Sequence, residues 1–170
     1  ELISKSPMGK VPCMETDQGF LTETGVMIDY LDALGEGPSF YPEDPFAKAK
    51  VQELIRHLEL YIELPARRLY GDAFFGKPAS DEEKVAVRAL LNRGFASLAS
   101  LGKFSPYLAG EEISYADFYF RFSVGVATMA CKKSLGWDAL NEVPNIKALL
   151  DLMDQRASIK QVLADQASDA

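Results

Sequence analysis

The chain has 170 residues, 48% hydrophobic and 25% charged, the balance of a globular protein with a buried core and not of a disordered chain. A net charge of −7 repels phosphate backbones, which argues against nucleic acid as a ligand, and no window holds the uncharged apolar run of a membrane helix. The two cysteines, Cys13 and Cys131, lie far apart without metal-ligand spacing, and the single histidine, His57, cannot complete a Cys/His zinc site.

Unpaired thiols point to a reducing, cytoplasmic setting. Glu1-Leu2-Ile3-Ser4 shows no basic region followed by an apolar core, so no secretory signal opens the sequence. A Ser-His-Asp triad would depend on His57 alone, and no G-x-S-x-G elbow accompanies it.

In chain order, Val11-Pro12-Cys13-Met14-Glu15-Thr16 reads as a short strand. Asp17-Gln18-Gly19 is turn chemistry, and Phe20-Leu21 begins a second strand, so a β-hairpin is expected. Thr22 and Thr24 offer N-caps for a helix carrying Val26, Ile28, Tyr30, Leu31 and Leu34, with Gly35 as its stop. Gly35, Gly37, Pro38, Pro42 and Pro45 then interrupt both periodicities. The expected organisation is a first domain over residues 1–36, a linker over 37–45 and a second domain over 46–170.

The second domain reads as helix throughout. Asp44-Pro45 is a cap followed by a first-turn proline, and Val51, Leu54, Ile55, Leu58 and Ile62 repeat at helical spacing until Pro65, which should kink or break the helix. Ser80-Asp81-Glu82-Glu83 reads as a capping box ahead of another helix. Ser114 and Asp117 form a second box, Pro144 opens a further helix, and Ile159, Val162 and Leu163 mark a last one. The fold class is α+β: two strands and a helix, then a helical bundle.

The most informative segment is Ser6-Pro7-Met8-Gly9-Lys10-Val11-Pro12, followed by Glu23-Thr24 at a helix start. With Tyr107-Leu108-Ala109-Gly110 and Ile113-Ser114-Tyr115-Ala116-Asp117, it resembles the cytosolic glutathione transferases across essentially the whole chain. The resemblance implies the C-terminal half of a thioredoxin-like domain followed by an all-α domain. It implies a cis Val11–Pro12 bond that turns the Val11 backbone outward to pair with the cysteinyl unit of glutathione. It also assigns the γ-glutamyl group to Glu23 and Thr24, where helix-start amides attract a carboxylate and Glu23 attracts the ammonium.

The activity so implied is conjugation of the glutathione thiol to a small hydrophobic electrophile by a homodimer, without a metal. Pairing is expected through Val26–Leu34 and Val51–Ile62. A non-catalytic relative resembling the stringent starvation proteins, or a glutathione-dependent isomerase or dehalogenase, stands as the alternative. Complete members open with a βαβ unit carrying a Tyr, Ser or Cys that activates the thiol. Only Glu1 to Ser6 precede the P-x-G-K-V-P turn here, so the catalytic residue is unknown.

Other conspicuous residues read as structural. His57 is expected at a surface or an interface, Arg67-Arg68 on a solvated face, Cys13 in a buried strand and Trp137 in the core. Tyr61, Tyr70, Phe74 and Phe75 either line an acceptor-substrate pocket or pack between helices; the sequence favours neither.

Overall fold

A computed structural model describes residues 1–168 and divides the chain into two compact units, Glu1–Phe40 and the chain from Tyr41 onward. The first unit begins with a short helix α1 (Leu2–Lys5), which the sequence pattern did not suggest. Strands β1 (Cys13–Thr16) and β2 (Gly19–Thr22) form the expected antiparallel hairpin, with Cys13 opposite Thr22 and Thr16 opposite Gly19. Thr16 Oγ1 closes the turn by donating to the Gly19 carbonyl at 2.9 Å. Helix α2 (Thr24–Leu34) follows and ends at Gly35 in the left-handed conformation that glycine adopts without penalty. Its N-cap is Glu23, which makes no side-chain capping bond, so the expected threonine cap is not formed.

All named elements of the second unit are helices; one isolated bridge joins Tyr107 and Gly110. Helix α3 (Pro45–Leu58) starts as expected, with Asp44 Oδ1 accepting from the Ala47 amide at 2.8 Å. Pro65 does not break the helix. The backbone widens into a π turn (Glu59–Glu63), in which the Leu64 amide bonds the Glu59 carbonyl, and continues as α4 (Leu64–Arg67). Pro65 has no N–H to offer the carbonyl one turn earlier, and a locally re-wound helix accommodates that loss.

Helices α5 (Tyr70–Phe74), α6 (Asp81–Leu101) and α7 (Tyr115–Leu135) follow, then α8 (Ala139–Glu142), α9 (Pro144–Met153) and α10 (Ala157–Ser168). Ser80 caps α6 by accepting from the Glu83 amide at 3.2 Å, but the Glu83 carboxylate pairs with Arg68 instead of completing a box. Helix α7 is central and packs against α3, α5 and α9. Leu54, Leu58, Leu91, Phe95, Phe120 and Leu149 fill the space between these helices. Each such side chain contributes about 1.5–3 kcal/mol by leaving water.

Three polar links fix this packing. At the start of α7 the reciprocal cap of Ser114 and Asp117 is present. Asp117 Oδ2 accepts from the Ser114 amide at 2.8 Å, and Oδ1 accepts from the more distant Leu108 amide at 2.7 Å. Asp72 on α5 accepts from Ser134 on α7 and from Lys84 on α6, the latter at 2.9 Å. His57 is only 7% exposed and its Nε2 donates to the Gly94 carbonyl at 3.0 Å, which corrects the surface placement. Trp137 is buried as expected, against Phe95 and Arg88. Cys13 is half-buried, not buried, with Sγ 3.6 Å from the Lys5 carbonyl.

Candidate functional site

The first unit gathers the proposed ligand residues at one end of its hairpin. The segment from Ser6 to Lys10 is a built turn: the Gly9 amide donates to the Ser6 carbonyl at 2.7 Å and the Lys10 amide to Ser6 Oγ at 3.2 Å. Ser6 is buried beneath it. Gly9 has φ +62°, a conformation that L side chains rarely adopt, so the turn needs glycine for its dihedral.

Val11–Pro12 follows as a cis bond, as the resemblance implies. Val11 is 76% exposed although it is a large apolar residue beside a strand. It precedes β1, whose first residue Cys13 pairs with Thr22 at the end of β2. That register brings Val11–Pro12 and Glu23–Thr24 to the same end of the hairpin.

Glu23 holds φ 67° and ψ 116°, outside the regions that L-residues ordinarily occupy. Such a conformation costs about 1–3 kcal/mol and clusters at ligand clamps. Beyond it, the first amides of α2 have no carbonyl partner within the helix, and the helix dipole adds positive potential there. Glu23 and Thr24 are both exposed. A carboxylate finds donors at this end, and an ammonium on the same carbon finds Glu23. The turn under Lys10 is signalled by Pro7 and Gly9, whereas the strain at Glu23 has no signal in residue type.

The second unit carries a separate open cleft of about 750 Å³ between α3–α4 and α6. Leu60, Tyr61, Leu64 and Leu90 line it as exposed apolar groups, with Arg68 and Arg93 beside them. Tyr61 therefore faces this cleft, whereas Tyr70 and Phe74 pack edge to face at 5.5 Å and Phe75 is exposed. Arg67 and Arg68 are exposed and paired with Glu63 and Glu83, in keeping with a solvated face.

Val51, Leu54, Ile55, Leu58 and Ile62 are all buried within the unit. They form the internally packed face of this stretch; the exposed apolar side chains here are Leu60, Tyr61 and, beyond Ile62, Leu64. Burial pushes the Cys131 thiol up to about 12, so it stays protonated and inert at neutral pH. Burial, reinforced by Glu63, likewise raises the Tyr70 phenol to about 12. Among the described residues no group of three His, Cys, Asp or Glu side chains is placed to hold a metal ion, and no helix is long and apolar enough to cross a membrane.

Known proteins resemble this chain over most of its length. Residues 1–39 match the family profile described as glutathione S-transferase, N-terminal domain, and residues 66–166 match its C-terminal domain. A glutathione S-transferase of Pseudomonas putida is 45% identical over 166 residues, spanning 98% of this chain and 76% of that protein. A probable maleylacetoacetate isomerase of Drosophila melanogaster is 30% identical over 117 residues, 66% of this chain and 45% of that protein. Among solved structures, the ternary complex of BphK, a bacterial enzyme of the same name class, superposes with TM-score 0.79 at 25% identity. It covers 97% of this chain and 78% of that one.

Proposed function

The chain belongs to the glutathione S-transferase family, and we propose that it binds glutathione at the hairpin end formed by Val11, Pro12, Glu23 and Thr24. The observation that carries this reading is the strained, exposed Glu23 at the start of α2, at the same hairpin end as the outward-facing Val11. The Val11 backbone pairs with the cysteinyl unit as an added strand. The α2 amides and the Thr24 hydroxyl take the γ-glutamyl carboxylate, and Glu23 takes its ammonium.

The reaction is conjugation. The glutathione thiol loses its proton, and the thiolate sulfur attacks the electrophilic atom of a small hydrophobic acceptor as the leaving group or π electrons depart. No residue of this chain is assigned to thiol activation. A glutathione-dependent isomerisation is the second reading, favoured by the similarity to the probable maleylacetoacetate isomerase. Both readings need glutathione. The protein functions as a pair of identical subunits that meet through the exposed Leu60, Tyr61, Leu64 and Leu90.

The deciding experiment titrates the full-length protein with glutathione by calorimetry, then assays glutathione consumption with an aryl halide and cis–trans conversion of maleylacetoacetate. Stoichiometric binding with consumption supports conjugation; conversion without consumption supports isomerisation. No heat of binding at millimolar glutathione would sink both.

A further inference from the structure

We infer that a groove on the second unit, between the N-terminal half of α6 and the end of α7, binds a small organic carboxylate through Arg88 and Asn92. The inference does not rest on the glutathione reading. Lys84, Val85, Arg88, Ala89 and Asn92 recur at helical spacing on one side of α6, opposite the side that turns Leu90 and Gly94 to the cleft described above. Ser134 and Leu135 of α7 close the groove, whose volume of about 480 Å³ falls in the range of small-ligand sites.

The two cations of the groove differ in what they already hold. Lys84 is committed to Asp72 at 2.9 Å, and Ser134 donates to the same carboxylate. Arg88 is held mainly by stacking: its guanidinium carbon lies 3.8 Å from the centre of the Trp137 ring, which fixes the plane of the fork. Its one carboxylate partner is Glu142, 3.3 Å from Nη2 and 54% exposed. So long and exposed a pair contributes little, and a better-placed carboxylate replaces it at small cost. Beneath it, Arg88 Nε and Trp137 Nε1 are buried with no acceptor among the described residues. Folded proteins rarely leave such donors unpaired, so internal hydrogen bonding does not account for the placing of this arginine. One turn further along α6, Asn92 is exposed, and its carboxamide has no hydrogen-bond partner among the described residues.

The chemistry that fits is a single carboxylate on an apolar body. A planar guanidinium matches the two oxygens of a carboxylate, and the Asn92 amide adds a donor. Val85, 71% exposed, supplies apolar contact with Ala89 and Leu135. A dianion meets the carboxylates of Asp72 and Glu142 beside the two cations, so the groove selects against phosphate. Because Trp137 orients Arg88 before any ligand arrives, the ordering cost of binding is lowered.

The test titrates benzoate, benzamide and inorganic phosphate into the full-length protein at low ionic strength. NMR at the Trp137 indole N–H and the Asn92 side-chain amide reports binding at this groove. Benzoate should shift both signals saturably. Benzamide, which lacks the charge, should bind about three- to tenfold more weakly, and phosphate should not displace benzoate. Glu142→Gln removes the competing carboxylate and should tighten benzoate binding about threefold or more, a gain that a purely structural Arg88–Glu142 link does not produce. Asn92→Asp, a change at an exposed position, should abolish the preference for benzoate over benzamide. Any one of four results overturns the inference: both signals unmoved by benzoate, equal binding of benzoate and benzamide, displacement by phosphate, or unchanged benzoate affinity in a Glu142→Gln variant that circular dichroism shows to be folded.

Discussion

His57 Nε2 donates to the Gly94 carbonyl across 3.0 Å, joining α3 to α6. Gly94 is also the point at which α6 meets the Tyr61 carbonyl: a Cβ built there would lie 2.2 Å from that oxygen. The Tyr61 carbonyl is the one that Pro65 leaves without its usual helical donor. The π turn, the proline, the glycine and the histidine thus form one device at a helix crossing.

Substitution at this crossing should be costly in a graded way. Gly94→Ala puts a methyl group into backbone and should destabilise by about 2–3 kcal/mol or more, since overpacking forces a helix to shift. His57→Phe keeps the ring volume but removes the donor, and should cost about 1 kcal/mol. Urea unfolding followed by circular dichroism reads both. A neutral Gly94→Ala would mean that the crossing is looser than described.

The start of α7 should be among the least tolerant sites in the helical unit. Asp117 is fully buried and satisfies the amides of Leu108 and Ser114. Asp117→Ala leaves both donors buried and unpaired, at about 1–3 kcal/mol each. The combined loss, measured by thermal or urea unfolding, should exceed that of Ser114→Ala, which removes only a hydroxyl.

Two carboxylates should give opposite pH dependences. Hydrogen bonds from Ser134 and Lys84 hold Asp72 below its ordinary value of 3.8. Its folded form therefore binds fewer protons than the unfolded chain near that pH. Its contribution is complete above 3.8 and is lost as pH falls below it. Burial raises Asp117, against the pull of the Leu108 and Ser114 amides. Its contribution declines as pH rises from 3.8 through the raised value. The stability gap between wild type and Asp72→Asn should therefore narrow as pH drops from neutrality to below 3.8, as read by urea titrations at each pH.

For the proposed glutathione site, Glu23→Ala and Thr24→Ala should each weaken glutathione binding while the protein stays folded. Losing a hydrogen bond to a charged group costs about 1.5–3 kcal/mol, or about a 10- to 150-fold rise in dissociation constant. Glu23→Gly separates strain from charge: it relieves the positive φ yet removes the carboxylate, so it should gain stability and lose affinity. Calorimetry with circular dichroism as the folding control measures all three. Unchanged affinity in Glu23→Ala and Thr24→Ala would reduce these residues to a helix start.

Pairing of subunits should depend on the cleft face. Leu64→Glu combined with Leu90→Glu places two charges among exposed apolar groups and should raise the dimer dissociation constant at least about tenfold. Sedimentation velocity at micromolar concentration distinguishes the outcomes, and an unaltered dimer would place the interface elsewhere. Leu58→Ala instead should destabilise the unit by about 2–5 kcal/mol, because the side chain is fully buried in it.

Local signals were legible in the sequence wherever the controlling partners lie within a few residues. Asp44-Pro45, Ser80, Ser114 with Asp117, and Gly35 each start or stop a helix through bonds spanning one turn. The hairpin and its turn were legible for the same reason. Periodicity also showed that α3 has an apolar stripe. It did not show that this stripe is consumed by α6 and α7, nor that Leu60, Tyr61 and Leu64 are the apolar side chains left outside. That depends on elements dozens of residues away. His57 is buried because Gly94, 37 positions later, presents a carbonyl to it. Pro65 is absorbed in a π turn, not a break, and the Tyr61 carbonyl it strands has room only because the residue opposite has no side chain. Glu23 takes a glycine-like φ at the junction between β2 and α2, which its residue type does not favour. Residue type determined where helices begin and end; packing across long sequence separations decided which faces are left for ligands and partners, since burial belongs to pairs of surfaces and not to either one alone.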